Sequence, residues 1–249
     1  MPILRSSNPA FARGKGFSTP STSELDAMYA TQPRLTIDDV IIHTVGLLAL
    51  LGVTAVIGWQ LPPRDAGLGF AAGLAALSLS FVIAFSRAIR PPFVIIFAAL
   101  EGLFVGAISR AYNDQFSGIV AQALIGTGII FGAMLIAYRS GRLRATPRMT
   151  RIVVGTLLGV VGLGLVDLGL RAFGSHVPIL NDATPLGILV SLGILVVAAL
   201  QFILDFDFID RAIAAGAPRS EAWRASYGLL VGFVWVYLEL LRLLSKIRR

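Results

Sequence analysis

The chain has 249 residues, of which 56% are hydrophobic and 14% are charged, and its mean hydropathy is +0.80. This composition excludes a soluble globular domain and predicts an integral membrane protein, with the lipid bilayer as its main partner. The absence of cysteine excludes disulfides and thiolate metal sites. The net charge of +7 comes mostly from arginines beside apolar segments, a pattern typical of membrane orientation rather than of nucleic-acid binding.

The polarity of the chain changes after its first 38 residues. Residues 1–38 are polar, rich in serine, threonine and proline, and contain no apolar core. We expect them to form a disordered cytoplasmic tail, because such a composition buries too little apolar surface to fold. We expect residues 39–249 to form a single all-α transmembrane domain.

Seven apolar runs follow the tail, each close to the roughly 20 residues that a helix needs to cross a bilayer. Turn-forming residues separate them. Glycine pairs at four-residue spacing predict close approach between helices. The runs span residues 40–61, 68–86, 92–112, 118–138, 152–173, 186–204 and 227–244, and the pairs are Gly102/Gly106, Gly128/Gly132, Gly155/Gly159 and Gly228/Gly232. The sequence therefore predicts a seven-helix bundle.

Arginines concentrate in the second, fourth and sixth connections between these runs. By the positive-inside rule, these connections and the N-terminus lie in the cytoplasm. Seven crossings then place the basic residues Lys246, Arg248 and Arg249 outside. Either this tail is too short to affect orientation, or the last helix does not cross completely.

Two acids stand near the ends of the last two apolar runs. Asp205 directly follows the run 186–204, and Glu239 lies inside the last run. Carboxylates at membrane depth are costly and usually face a bundle interior or a cavity, so a functional role is expected. Glu101, near the middle of the third run, is a secondary polar group. Asp210 is more simply explained as the interfacial end of a helix.

Several enzyme and cofactor classes are excluded by the motifs. The Asp205, Asp207, Asp210 series lacks the glycine and the final glutamate of a calcium loop. There is no HExxH motif, and no lysine lies inside an apolar run, where it could hold a retinal. We therefore expect no enzymatic activity and no cofactor.

Two arginines, Arg87 and Arg90, follow the second run, on the side to which the sixth run delivers Asp205. Either could therefore reach the acids. A cation near an acid lowers its pKa, whereas burial and a second acid raise it. An acid pair under these influences could change its proton count near neutral pH. The alternative is a static ion-pair network that holds helices together.

The order and spacing of several motifs along the bundle resemble those of the Bax inhibitor-1/YccA family, in particular its bacterial members. The motifs are Leu100-Glu101-Gly102 with Gly106, the basic fourth connection reaching Thr146-Pro147, Asp205 at the sixth run, and Tyr237-Leu238-Glu239 in the seventh. The similarity extends from about Asp39 to the C-terminus. The resemblance implies six helices around a central seventh.

The resemblance also implies a pH-sensitive calcium leak, gated by an acid pair on the last two helices and an arginine of the second. Carried over by position, the acid of the sixth helix is Asp205, or Asp207 if the local register differs. The acid of the seventh helix is Glu239. The arginine is Arg87 or Arg90. Glu239 stands where the family usually has aspartate, and the connection between the acids is longer than usual.

The leading functional prediction is a pH-regulated cation leak of the bacterial inner membrane, with calcium as the ion. Asp205 and Glu239 would bind calcium transiently, because calcium prefers carboxylate and carbonyl oxygens. The alternative is a non-transporting regulator that binds a membrane protease or another membrane protein. That function would depend on the basic connection from Arg139 to Arg151 and on the N-terminal tail.

Overall fold

The structure, a computed structural model, describes residues 23, 33–62, 66–86, 89–175 and 177–249. The chain divides into two compact units, Met1–Arg34 and Leu35–Arg249, and the helical fold belongs to the second. Most of the predicted tail, residues 1–38, lies outside the described residues.

In the described part of the second unit, seven helices are long and apolar enough to cross a membrane. This result confirms the predicted multi-pass, all-α bundle. A four-residue helix, Pro178–Asn181, precedes the sixth long helix, and a 3-10 turn, Arg219–Glu221, precedes the seventh. The long helices are α1 Ile37–Gln60, α2 Ala66–Phe85, α3 Pro91–Gln115, α4 Ile119–Arg139, α5 Pro147–Ala172, α6 Pro185–Ala214 and α7 Ala222–Ile247.

Local sequence signals account for the starts of several helices. Thr36 caps α1 in a reciprocal capping box with Asp39. Thr146 and Thr184 cap α5 and α6, and in each case proline occupies the first turn. A threonine cap accepts a backbone N–H that has no partner within the helix, and proline has no such N–H to satisfy.

Helix α6 continues ten residues beyond the apolar run, which predicted an end near Leu204, and reaches Ala214. The buried face of the helix continues through Phe206 and Ile209, while Asp207 and Asp210 lie on other faces. The helix stops before Gly216, whose φ of 67° is in the left-handed region that favours glycine. Asp205 therefore lies inside a helix rather than at its end.

Helix α7 is the central helix, as the resemblance implied. It packs against α1, α3, α4 and α6, and over half of its span is buried. Helix α2 packs mainly against α3, and α5 packs mainly against α6. Only a small part of α5 is buried against the other helices.

The ends of the helices show that α7 crosses the whole bundle. Lys246, in its last turn, donates a hydrogen bond to the carbonyl of Gly187 in the first turn of α6. Arg248 donates to Ser117 and Gln122, at the start of α4. We call this side of the bundle the carboxyl end, and the opposite side, where α1 begins, the amino end. Helix α7 therefore extends from one end of the bundle to the other.

The predicted glycine pairs divide into two groups. A methyl group on Gly102 or Gly106 would overlap α1 at Leu51, Thr54 and Ala55, and methyl groups on Gly228 and Gly232 would meet α6. By contrast, Gly128, Gly132, Gly155 and Gly159 have open space beside them. Close helix approach is therefore confirmed for two of the four pairs.

Candidate functional site

Asp205 lies on the face of α6 that packs against α7. Its Oδ1 atom accepts a hydrogen bond of 3.0 Å from Nε2 of Gln201. Its Oδ2 atom is fully buried and has no hydrogen-bond partner among the described residues. Methyl groups on Gly228 and Gly232 would lie 3.3 Å from Oδ1 and 3.5 Å from Oδ2. The carboxyl group therefore rests on the glycine face of the central helix.

A cavity of about 220 Å³ adjoins this carboxyl group. Asp205 is the only acid among its described lining residues. Arg224 also lines the cavity, and its Nε lies 2.9 Å from Oε2 of Glu221. The other lining residues come from the end of α2, from the connection that follows it, from α6 and from α7, and they are Ile83, Ala84, Ile89, Phe208, Ala225, Tyr227 and Gly228.

Glu239 occupies a separate buried position. It is 2% exposed, and its Oε2 atom lies 2.9 Å from Nη1 of Arg242. Glu239 follows Gly232 by seven residues, which is about 10 Å along the axis of α7 at roughly 1.5 Å per residue. The structure therefore does not bring Asp205 and Glu239 together, and a short acid–acid hydrogen bond does not form.

Asp207 and Asp210 point away from the Asp205 cavity. Asp207 forms an ion pair with Arg211. Oη of Tyr138, at the end of α4, donates a hydrogen bond of 2.7 Å to Asp210. Both acids line a different cavity, of about 420 Å³, at the amino end. Of the two register alternatives, only Asp205 faces α7.

The arginines predicted for the gate have different outcomes. Arg87 lies outside the described residues. Arg90 is exposed, its guanidinium carbon lies 5.9 Å from the centre of the Phe93 ring, and it contacts neither acid within the described part of the chain. The arginine that shares the cavity with Asp205 is Arg224 of α7. The sequence does not indicate this arginine as part of the site, because its distance from Asp205 depends on tertiary packing.

Glu101 is half-buried on α3 and makes no hydrogen bond or ion pair with any described residue. It lies near Tyr227, whose Oη is 2.6 Å from Oγ of Ser80. Tyr227 also lines the Asp205 cavity, and its ring centroid lies 5.1 Å from that of Phe97, one turn before Glu101 on α3. Glu101 is therefore a neighbour of the site through one tyrosine.

An aromatic cluster separates the Asp205 level from the carboxyl end. Phe202, one turn before Asp205, is fully buried, and a methyl group on Gly232 would lie 2.9 Å from its ring. The Phe131, Phe206 and Phe233 rings surround it, at centroid distances of 5.2 Å, 6.4 Å and 5.3 Å. In this arrangement an ion at Asp205 would meet packed rings before it reached Glu239.

The described side chains include no group of three or more His, Cys, Asp or Glu that could hold a metal ion. A static calcium site needs about six to eight oxygen ligands. The predicted pair Asp205 and Glu239 does not form a static calcium site, because the two acids lie apart. A single carboxyl group beside a cavity can instead contact a cation that keeps most of its water.

Comparison with known proteins places the chain in a protein family. The family model described as Bax inhibitor 1 like matches residues 8–249, nearly the whole chain. No curated protein matches the chain. The family match agrees with the resemblance seen in the motifs.

Proposed function

Since the chain belongs to the Bax inhibitor 1 like family, we propose that it is a pH-regulated cation leak channel of the bacterial inner membrane. Calcium is the proposed ion, and the activity is transport without enzymatic chemistry. The observation that carries the proposal is the Asp205 carboxyl group, which has a fully buried, unpaired oxygen and rests on the central helix beside a cavity.

The closed state is explained by the packing of α6 against α7. Fully buried Phe202 fills the space over Gly232, and apolar rings occupy the region between the Asp205 level and Glu239. A bare cation in such an apolar region would lose its hydration without replacement, which costs far more than thermal energy. Conduction therefore requires α6 and α7 to separate at this level.

The proposed trigger is loss of the proton on Asp205. A neutral carboxyl group needs few hydrogen bonds and fits against the glycine face of α7. A carboxylate at the same place accepts one hydrogen bond, from the side-chain amide of Gln201. Its other oxygen has no hydrogen-bond donor among the described residues. An unsatisfied buried group costs about 1–3 kcal/mol, and a charged one costs more. Charging Asp205 therefore favours a state in which α6 moves off α7 and water enters.

This mechanism differs from a gate made of two acids. Glu239 lies about 10 Å further along α7 and is paired with Arg242, so it does not share a proton with Asp205 in this state. The charged and polar groups at the Asp205 cavity are Arg224 and Tyr227. Arg224 would stabilise the carboxylate of the open state once it releases Glu221, its partner in the closed state.

Calcium flux into liposomes that contain the purified protein, measured against pH, tests this function. We expect the flux to rise as pH rises through the titration of Asp205. A calcium flux that does not depend on pH would contradict the gate. A flux equal to that of empty liposomes would contradict the channel.

A second candidate is a non-transporting regulator that binds a membrane protein. It is favoured by the arginine-rich connection between α4 and α5, whose arginines are all exposed. These are Arg139, Arg142, Arg144, Arg148 and Arg151. Neutralising these arginines should abolish partner binding and leave flux intact, whereas changing Asp205 should do the reverse.

A further inference from the structure

The last turn of α7 carries a lysine that is almost completely buried. Lys246 is 3% exposed, and its ammonium group is surrounded by oxygens of the protein. Nζ donates to the carbonyl of Gly187 at 2.9 Å, to Oγ of Ser191 at 3.0 Å and to the carbonyl of Ile179 at 3.4 Å. All three donors of the ammonium group are thus used.

A buried acid extends this set of oxygens toward the bundle interior. Glu239 precedes Lys246 by seven residues, so both side chains lie on the same face of α7. The Ser191 hydroxyl also faces the Glu239 carboxyl group. Oε1 of Glu239 is buried and lacks a hydrogen-bond partner in the described part of the chain. Two carbonyls, from Ile179 of the short helix and Gly187 of α6, and the Ser191 hydroxyl therefore surround the ammonium group. The Glu239 carboxylate lies beyond Ser191 and forms no ion pair with Lys246 among the described residues.

We propose that these oxygens of Gly187, Ser191 and Ile179, with the Glu239 carboxylate behind Ser191, form a binding site for a large monovalent cation, which the protein fills with its own Lys246 ammonium group. The geometry favours potassium or ammonium over calcium. The contacts of 2.9 Å and 3.0 Å around Nζ exceed the roughly 2.3–2.6 Å of calcium ligands. Carbonyl rings that replace a hydration shell are the ligands that potassium uses in channels.

The position of Lys246 gives this site a consequence for transport, which rests on the proposed function. The lysine lies at the carboxyl end of the α6–α7 interface, on the far side of the Phe202 cluster from Asp205. A tethered cation there repels any cation that approaches Glu239 from the carboxyl end. Lys246 then acts as a plug, and opening requires its ammonium group to leave.

The alternative is that Lys246 only fastens α7 to α6. Both explanations predict that Lys246→Met lowers the melting temperature, because three hydrogen bonds are lost. Only a cation site predicts that an inorganic cation restores part of the loss. The two explanations therefore differ in the dependence of the variant's stability on the cation in the buffer.

The experiment compares wild type and Lys246→Met in detergent, by thermal melting in potassium, ammonium or choline chloride at equal ionic strength. We expect the melting temperature of Lys246→Met to be several degrees higher in potassium or ammonium than in choline, with saturation. Wild type should show no such difference. Adding Ser191→Val to Lys246→Met removes one ligand, and we expect the cation effect to disappear.

An equal melting temperature of Lys246→Met in all three salts would overturn the proposal, as would the same cation effect in wild type. If Lys246→Met does not fold, Lys246→Gln, which can donate to one of the same carbonyls, takes its place in the same measurement. The melting readout requires no transport. Failure of the cation site is therefore distinguishable from failure of the leak.

Discussion

A methyl group on Gly228 would lie 3.3 Å from Oδ1 of Asp205, so the carboxyl group of α6 rests on the backbone of α7. At this level the central helix presents the glycine pair Gly228 and Gly232 rather than an acid. In the proposed gate, the protonation of Asp205 therefore affects how closely α6 and α7 pack, without a second acid at this level.

The first prediction concerns the titrating group. Asp205→Asn keeps the shape and hydrogen bonding of the side chain but cannot ionise. We expect the calcium flux of this variant in liposomes to become independent of pH and to stay at the low, closed level. The melting temperature should change little, because the amide replaces a neutral carboxyl group.

Asp207→Asn is the matched control, because Asp207 lies two residues away and pairs with Arg211 on another face. It should retain the pH response of wild type. Unchanged pH-dependent flux in Asp205→Asn, or loss of the response in Asp207→Asn, would contradict the assignment of the gate to Asp205.

The second prediction concerns the glycine face. In Gly232→Ala the new methyl group would lie 2.9 Å from the Phe202 ring, and overpacking typically costs about 1–3 kcal/mol. We expect a lower melting temperature and a higher flux at low pH, because α6 is pushed away from α7. The control is Gly159→Ala, which has open space and should gain up to about 1 kcal/mol from helix propensity. Equal stability changes in the two variants would contradict the close packing.

The sequence predicted the bundle well because its signals are local. Apolar runs define the seven spans, and an i, i+4 spacing such as that of Asp167 and Arg171 favours an ion pair within one helix. The structure has Arg171 Nε 2.8 Å from Oδ2 of Asp167. Such a contact depends only on the geometry of one helix.

The site was predicted less well because it depends on how helices are rotated against each other. Asp205 and Asp207 differ by about 200° around the axis of α6, and the sequence does not say which of them faces α7. The motif also indicated Glu239 as a site residue, because an acid inside an apolar run can be recognised from the sequence. The sequence does not indicate which glycines pack against the carboxyl group of Asp205.

The third prediction concerns orientation, which the arginine bias of the connections predicts. Reporter fusions at Gly141 and at Ser175 should report the cytoplasm and the exterior, respectively. A fusion after Arg249 should agree with Ser175, because Lys246 contacts Gly187 at the carboxyl end. The same side for Gly141 and Ser175 would contradict the topology. Opposite assignments for all three fusions would keep the fold and reverse its insertion.

The fourth prediction concerns Glu239, which is 2% exposed and paired with Arg242 at 2.9 Å. Removing one partner of a fully buried ion pair costs about 3–5 kcal/mol, but Arg242, the charge left behind here, is 36% exposed and remains in contact with the surroundings. We expect Glu239→Gln to lower the free energy of unfolding by less than that, on the order of 1–3 kcal/mol. The pH dependence of its flux should survive, because Glu239 lies about 10 Å along α7 from the Asp205 level.

Asp114→Asn provides the comparison for that variant. Asp114 pairs with Arg110 at 3.8 Å, and its side chain is 66% exposed, so the loss should be at most about 1 kcal/mol. Denaturant unfolding of both variants beside liposome flux measures the two effects separately. If Glu239→Gln abolishes the pH response while its stability stays near that of wild type, Glu239 is part of the gate. In that case Glu239 must approach Asp205 in the open state. The packing around Phe202 prevents this approach in the closed state.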